Sequence, residues 1–160
     1  MLKRWLAIAT LIIIADQITK HLITRTFIFG ESLTVTPFFN LVLAYNTGAA
    51  FSFLADAGGW QRWLFAGVAM LAAVIIVHFL RQHANEPRFC FALSLILGGA
   101  LGNLIDRILL GHVIDFLDFH TAGYHFPAFN VADSAITIGA FVLAIESFRG
   151  KPAPIAEKLR

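Results

Sequence analysis

Charge and cysteine are scarce in this sequence. Asp, Glu, Lys and Arg make up 14% of its 160 residues, where an average soluble domain carries about 25%. A single cysteine leaves no intrachain disulfide to form, which excludes the stapled scaffolds of small secreted proteins. Five prolines and 12 glycines, in no regular period, exclude a collagen-like chain. A formal charge of +2 is too small to argue for nucleic acid as a partner. Disorder is excluded because it needs low hydrophobicity and high net charge. The sequence has no internal repeat and no low-complexity tract. Apolar residues are abundant instead, with 58% hydrophobic and 13% aromatic. That composition belongs to an integral membrane protein, read here as one domain over residues 1–150 with a solvated tail at 151–160.

Four apolar stretches, Trp5–Ile23, Trp63–Leu80, Phe89–Ile105 and Val131–Phe148, approach the roughly 20 residues that cross a hydrocarbon core as a helix. Lys3 and Arg4 ahead of the first could open a secretory signal. No small-x-small cleavage site follows, however, so an uncleaved helix is expected, with a signal peptide as the alternative. Eight of the twelve Lys and Arg residues fall in Met1–Arg4, in Arg81–Arg88 or after Phe148, which predicts that both termini are cytoplasmic. Only Arg25, Arg62 and Arg107 lie on the other side, and Lys20 sits within the first helix. The two outer connectors, residues 24–62 and 106–130, are long. Between Leu33 and Leu54, Val, Thr, Phe and Tyr partly alternate with polar residues, which predicts a small outer sheet, with a re-entrant or interfacial segment as the alternative. Residues 57–62 read as a turn leading to an interfacial Trp.

Polar residues gather at one depth. Asp16 lies about 16 Å along the first helix from Trp5, and Lys20 is one turn further. Asp106 and Arg107 close the third helix, Asp115, Asp118 and three histidines follow, and Asn130 and Asp133 open the fourth. A charge at membrane depth costs a few kcal/mol or more, so such residues are functional or paired by default. Asp16 and Lys20 are an i,i+4 pair in the favoured order, read as a structural ion pair or, alternatively, as a substrate contact. Gly98-Gly-Ala-Leu-Gly102 is a small-xxx-small face for close helix packing. Asn103 and Arg107 share a helix face, where a guanidinium orients carboxylates or meets a polar headgroup. Asn46 with Gly48 reads as a turn, Cys90 as a small core residue, and His21, His78 and His83 as side chains that snorkel or pack at helix ends.

Two chemistries compete in the segment from His112 to Asp133. His112, Asp115, Asp118, His120 and His125 are metal-ligand types, but no His-Glu-x-x-His or Cys-x-x-Cys spacing supports a zinc site. Serine chemistry has no Gly-x-Ser-x-Gly elbow. Two aspartates brought close cannot both ionise, so one can deprotonate a water while the other polarises a carbonyl. Spacing alone does not separate Asp115 and Asp133 from Asp106 or Asp118, and all of them could simply cap helices. A transporter with an Asp16, Lys20 and Asp133 relay, and a chaperone for lipidated partners, remain the rivals from other classes.

Five segments resemble the bacterial lipoprotein signal peptidases (signal peptidase II): Asp16-Gln-Ile-Thr-Lys20, Asn46-Thr-Gly-Ala-Ala-Phe51, Gly102-Asn-Leu-Ile-Asp106-Arg107, Val113-Ile-Asp115-Phe116 and Phe129-Asn130-Val-Ala-Asp133-Ser134. They follow the family's order and cover essentially residues 1–149. The resemblance implies an all-α membrane protein with minor β: four transmembrane helices, a small extracytoplasmic β-cradle and an interfacial helical segment. It implies Asp115 and Asp133 as a catalytic dyad. Asp16, Lys20, Asn46, Gly48, Asn103, Asp106, Arg107 and Asn130 are the implied supporting and substrate-binding residues. The implied substrate is a prolipoprotein whose cysteine carries a diacylglyceryl group, cleaved on the amino side of that cysteine in the bacterial inner membrane. No metal or organic cofactor is implied, membrane lipids are expected partners, and a monomer is the expected state. Phe38–Leu43 and Phe116–Phe119 are expected to line a groove for the acyl chains, and Asn130 to hydrogen-bond a carboxylate.

Overall fold

Long apolar helices and one short sheet divide the chain between a membrane part and a cap. The computed structural model describes residues 1–48 and 58–148. In chain order these form α1 (Leu2–Thr26), β1 (Ser32–Thr36), β2 (Phe39–Asn46), α2 (Gln61–Gln82), α3 (Pro87–Leu109), β3 (Val113–Thr121), β4 (Tyr124–His125) and α4 (Val131–Phe148). All four helices are long and apolar enough to cross a membrane, and the protein is a multi-pass membrane protein. The expected spans hold, with α1 to α3 running about a turn beyond their apolar stretches because the flanking polar residues still suit a helix. Pro87 opens α3, where its missing N–H would have no helical partner in any case. Leu11, Ile18, Leu71 and Phe141 are among the large apolar side chains exposed on the helix surfaces, as a hydrocarbon solvent requires.

Helix α3 is the centre of the bundle, packed against α1, α2 and α4. The small-residue face reads out directly here. A Cβ on Gly98 would lie 2.7 Å from the Ile12 Cβ and 2.8 Å from the Ala9 carbonyl oxygen, and one on Gly99 would collide with the Ala132 carbonyl. Backbone-to-backbone approach of this kind supplies the van der Waals contact that holds membrane helices together. Cys90 is fully buried in the same core as Trp5, Leu80 and Leu97, and its Sγ–H donates to the His83 carbonyl at 3.0 Å. His83 ends α2. His21 is exposed near the other end of α1, where its Nε2 accepts from Arg25 Nε at 2.9 Å.

The predicted outer sheet is present and larger than expected. The order is β1-β2-β3-β4, each neighbouring pair antiparallel. Strands β3 and β4 lie within the second outer connector, for which the sequence predicts no strand. Val113-Ile-Asp-Phe-Leu-Asp-Phe alternates imperfectly, because both faces of β3 are covered over Val113–Phe116, so the period-2 signal is lost. Ile23, Leu43, Ile114 and Phe116 form a second core that fastens the sheet to α1. This corrects part of the acyl-groove expectation. Leu43 and Phe116 are inside that core, whereas Phe38 and Phe119 are exposed. Gly58–Trp60 is a turn, as expected; Ala57, Ala49–Phe51 and the tail lie outside the described residues.

Candidate active site

Three elements converge beneath the sheet: the second half of α1, the last turns of α3 and the start of α4. Lys20 is at their junction, only 1% exposed. Its Nζ reaches Asp16 Oδ2 at 2.8 Å and Asp106 Oδ2 at 2.9 Å, and donates to Asn103 Oδ1 at 2.9 Å. Three acceptors match the three N–H bonds of an ammonium. The second carboxylate oxygens are also used. Asp16 Oδ1 accepts from the Ala132 N–H at 2.9 Å, Asp106 Oδ1 from Gln17 Nε2 at 3.0 Å, and Asp106 Oδ2 additionally from the Ile114 N–H at 3.1 Å. The Asp16–Lys20 pair is therefore a sealed ion pair, extended by Asp106, that ties α1, α3, α4 and β3 together.

Asp115 and Asp133 lie beside this network and are bridged by Asn130. Asn130, fully buried, precedes α4 and caps it reciprocally. Its Oδ1 accepts from the Asp133 N–H at 2.9 Å, and its own N–H donates to Asp133 Oδ2 at 3.3 Å, the arrangement of a capping box. The Asn130 Nδ2 donates to Asp115 Oδ1 at 2.7 Å. Asn130 thus holds a carboxylate, as expected, and Asp133 takes part in a helix cap, as the capping reading of the aspartates has it. Asp133 Oδ1 takes a further bond from Asn103 Nδ2 at 2.8 Å, and Asp115 Oδ2 one from Asn46 Nδ2 at 3.1 Å.

Each of these amides is itself held. Asn103 must present Nδ2 to Asp133 because its Oδ1 faces Lys20. Asn46 must present Nδ2 to Asp115 because its Oδ1 accepts from the Gly48 N–H at 2.9 Å; the expected turn is present. Arg107 donates from Nη2 to the Gly48 carbonyl at 3.0 Å and lies 5.4 Å over the Phe65 ring. It thereby fixes the backbone beside Asn46. All ten residues singled out in the sequence thus belong to one hydrogen-bonded assembly.

Burial, reinforced by the neighbouring Asp133 charge, pushes the Asp115 carboxyl up to about 7 against the opposing bonds from Asn46 and Asn130. Asp118 behaves in the opposite way. Burial pushes it up, but bonds from Asn40 and His125 and the nearby histidine charges hold it below its ordinary value. Asp118 accepts from Asn40 Nδ2 at 2.8 Å and faces His125 Nδ1 at 2.9 Å. Three residues from Asp115 along β3, it projects to the opposite face. Asp106 is committed to Lys20. The structure thus separates Asp115 and Asp133 from the two aspartates that spacing could not. Gln17 was not picked out as a site residue. The signal available was an amide one position after Asp16 in an otherwise apolar helix.

The signal peptidase (SPase) II family model matches residues 8–149. The chain is 61% identical over 145 residues to the lipoprotein signal peptidase of Ralstonia nicotianae, covering 91% of this chain and 84% of that one. It is 59% identical over 145 residues to the lipoprotein signal peptidase of Cupriavidus pinatubonensis, covering 91% and 82%. A bacterial membrane enzyme solved by the in meso method at 2.3 Å resolution superposes with a TM-score of 0.86 at 34% identity, over 99% of this chain and 95% of that one. The chain therefore belongs to the signal peptidase II family and is a membrane peptidase.

Proposed function

We propose that this protein is an aspartyl endopeptidase that removes the signal peptide from diacylglyceryl-modified prolipoproteins, with Asp115 and Asp133 as its catalytic residues. The observation that carries the reading is the pair of carboxyls held by one asparagine while Asp106 and Asp118 are paired elsewhere. One carboxylate of the dyad takes a proton from a water, and the resulting hydroxide attacks the carbonyl carbon of the residue before the lipidated cysteine. The other carboxyl, protonated, hydrogen-bonds the carbonyl oxygen as it becomes an oxyanion. The proton taken from water passes to the cysteine nitrogen as the C–N bond breaks, which releases a free amine and a carboxylic acid. No metal or organic cofactor enters these steps.

Asn46, Asn103 and Asn130 orient the two carboxyls, Asp16, Lys20 and Asp106 brace Asn103, and Arg107 with Gly48 braces Asn46. The distribution of Lys and Arg supports both termini in the cytoplasm and the dyad at the outer face of a bacterial inner membrane. A substrate with a helix in the bilayer and a lipid on its cysteine presents the scissile bond at that depth. The chain acts as one peptidase domain over residues 1–150, as a monomer, with surrounding lipid as its other partner. The test is cleavage of a diacylglyceryl prolipoprotein by purified protein. Asp115→Asn and Asp133→Asn should each lower the rate by about 10²–10⁴-fold, and EDTA should not change it. Full activity in either variant removes that aspartate from the reaction.

A further inference from the structure

Helices α1 and α2 both lean on α3 and touch each other little. Between them, on the half of the bundle remote from Asp115 and Asp133, they leave a groove of about 600 Å³. Its walls are apolar, built from Leu6 and Ile13 of α1, Val74 and Val77 of α2 and Leu101 of α3. The length it follows on α1, Leu6 to Ile13, is about 10 Å at the helical rise, enough to seat part of one extended hydrocarbon chain.

Where the groove is charged, it is basic. Its lining holds no Asp or Glu, and at its end away from the dyad it carries His78 and Arg81. Lys3 precedes Leu6, Thr10 and Ile13 at three-, seven- and ten-residue intervals, so it continues the same face of α1 by one turn toward that end. Lys3 and Arg81 are exposed, and among the described residues neither side chain forms an ion pair. Arg4, by contrast, is laid over the Trp5 ring at 4.1 Å, and Trp5 Nε1 donates to the Ala84 carbonyl at 3.2 Å. These contacts bring the start of α1 level with the turn that follows Arg81.

We infer that this groove is a binding site for an anionic phospholipid of the leaflet on the Met1 side, with an acyl chain between α1 and α2 and the phosphate on Arg81 and Lys3. Guanidinium and ammonium groups at the end of an apolar slot match a phosphate at the end of an acyl chain. Arg presents a planar set of donors suited to its oxygens. The stems of Lys3 and Arg81 can lie along hydrocarbon while their charges reach headgroup depth. Charge also argues against a signal helix as the occupant, because such helices carry their own basic residues at the N-terminal end. Those would face Lys3 and Arg81 with the same sign. This site does not depend on the aspartyl reading of the peptidase.

The test is native mass spectrometry of the purified full chain from micelles doped equally with phosphatidylglycerol and phosphatidylcholine. Wild type should retain phosphatidylglycerol preferentially, by about fivefold per basic contact. Arg81→Gln combined with Lys3→Gln should bring the two lipids to parity. Val74→Trp, at a side chain 62% exposed and therefore tolerant of size, should fill the slot and reduce retention of both. Parity in wild type, or an unchanged preference in the double variant, overturns the proposal. So does displacement of both lipids from wild type by a synthetic basic-headed apolar helix, which assigns the groove to a signal helix instead.

Discussion

Asp115 and Asp118 stand three residues apart on β3, at 3% and 6% exposure, yet their chemistry differs. Asp115 accepts hydrogen bonds from two neutral amides and has another carboxyl as its charged neighbour, and its proton is held to about pH 7. Asp118 faces histidines and an amide, and its proton is released more readily than from an ordinary aspartate. Neither is open to water, but Asp115 is set deep in the protein and Asp118 lies close to the surface, so burial raises Asp115 the more. Depth of burial first, and then the sign of the neighbouring charge, set the two carboxyls apart.

The largest effect expected from breaking this contrast is on turnover. Asp115→Asn should reduce prolipoprotein cleavage by about 10²–10⁴-fold, whereas Asp118→Asn should leave kcat within a few-fold of wild type while lowering thermal stability. A cleavage assay and a melting curve on the same preparations check both halves. Next comes the ion-pair network. Lys20→Met leaves Asp16 and Asp106 buried without their cation, and about 3–5 kcal/mol of stability should be lost, read as a fall in Tm in detergent. Gly98→Val crowds Ile12 and Ala9 and should cost about 1–3 kcal/mol by the same measurement. Smallest is the fastening at the hairpin: His125→Ala should cost about 1 kcal/mol.

The same two aspartates predict opposite slopes of stability with pH. Asp115 binds its proton more tightly when folded, so between the ordinary aspartate value and about pH 7 its contribution to stability falls as pH rises. Asp118 binds its proton less tightly when folded, so it stabilises at neutral pH, and that contribution is lost as pH drops through and below the ordinary aspartate value. Melting curves of Asp118→Asn across pH 3–8 should lose the acid-side slope that wild type keeps.

How much of this was legible in the sequence follows from the physics of each feature. The four spans were plain because a hydrocarbon solvent demands long apolar helices. The face of Gly98 and Gly102, and the pairing of Asp16 with Lys20, followed from helical spacing. Strands β3 and β4 were hidden because β3 is covered on both faces and β4 is two residues long. The choice of Asp115 and Asp133 from four aspartates came from family resemblance rather than from spacing. Their separation from Asp106 and Asp118 depends on Asn130 joining β3 to α4, a contact spanning 15 residues. The cap is a local pattern, Asn130 three residues before Asp133, but the bridge from Asn130 to Asp115 is a tertiary fact that no local pattern carries.

Asp115 holds its proton because of where it is buried and because Asp133 faces it. The most direct measurement is a ¹³C carboxyl titration of Asp115 in detergent-solubilised wild type and Asp133→Asn. The wild-type midpoint should lie near pH 7 and move down when the Asp133 charge is removed. A midpoint in the ordinary aspartate range, or one near 7 that Asp133→Asn leaves unmoved, would contradict it.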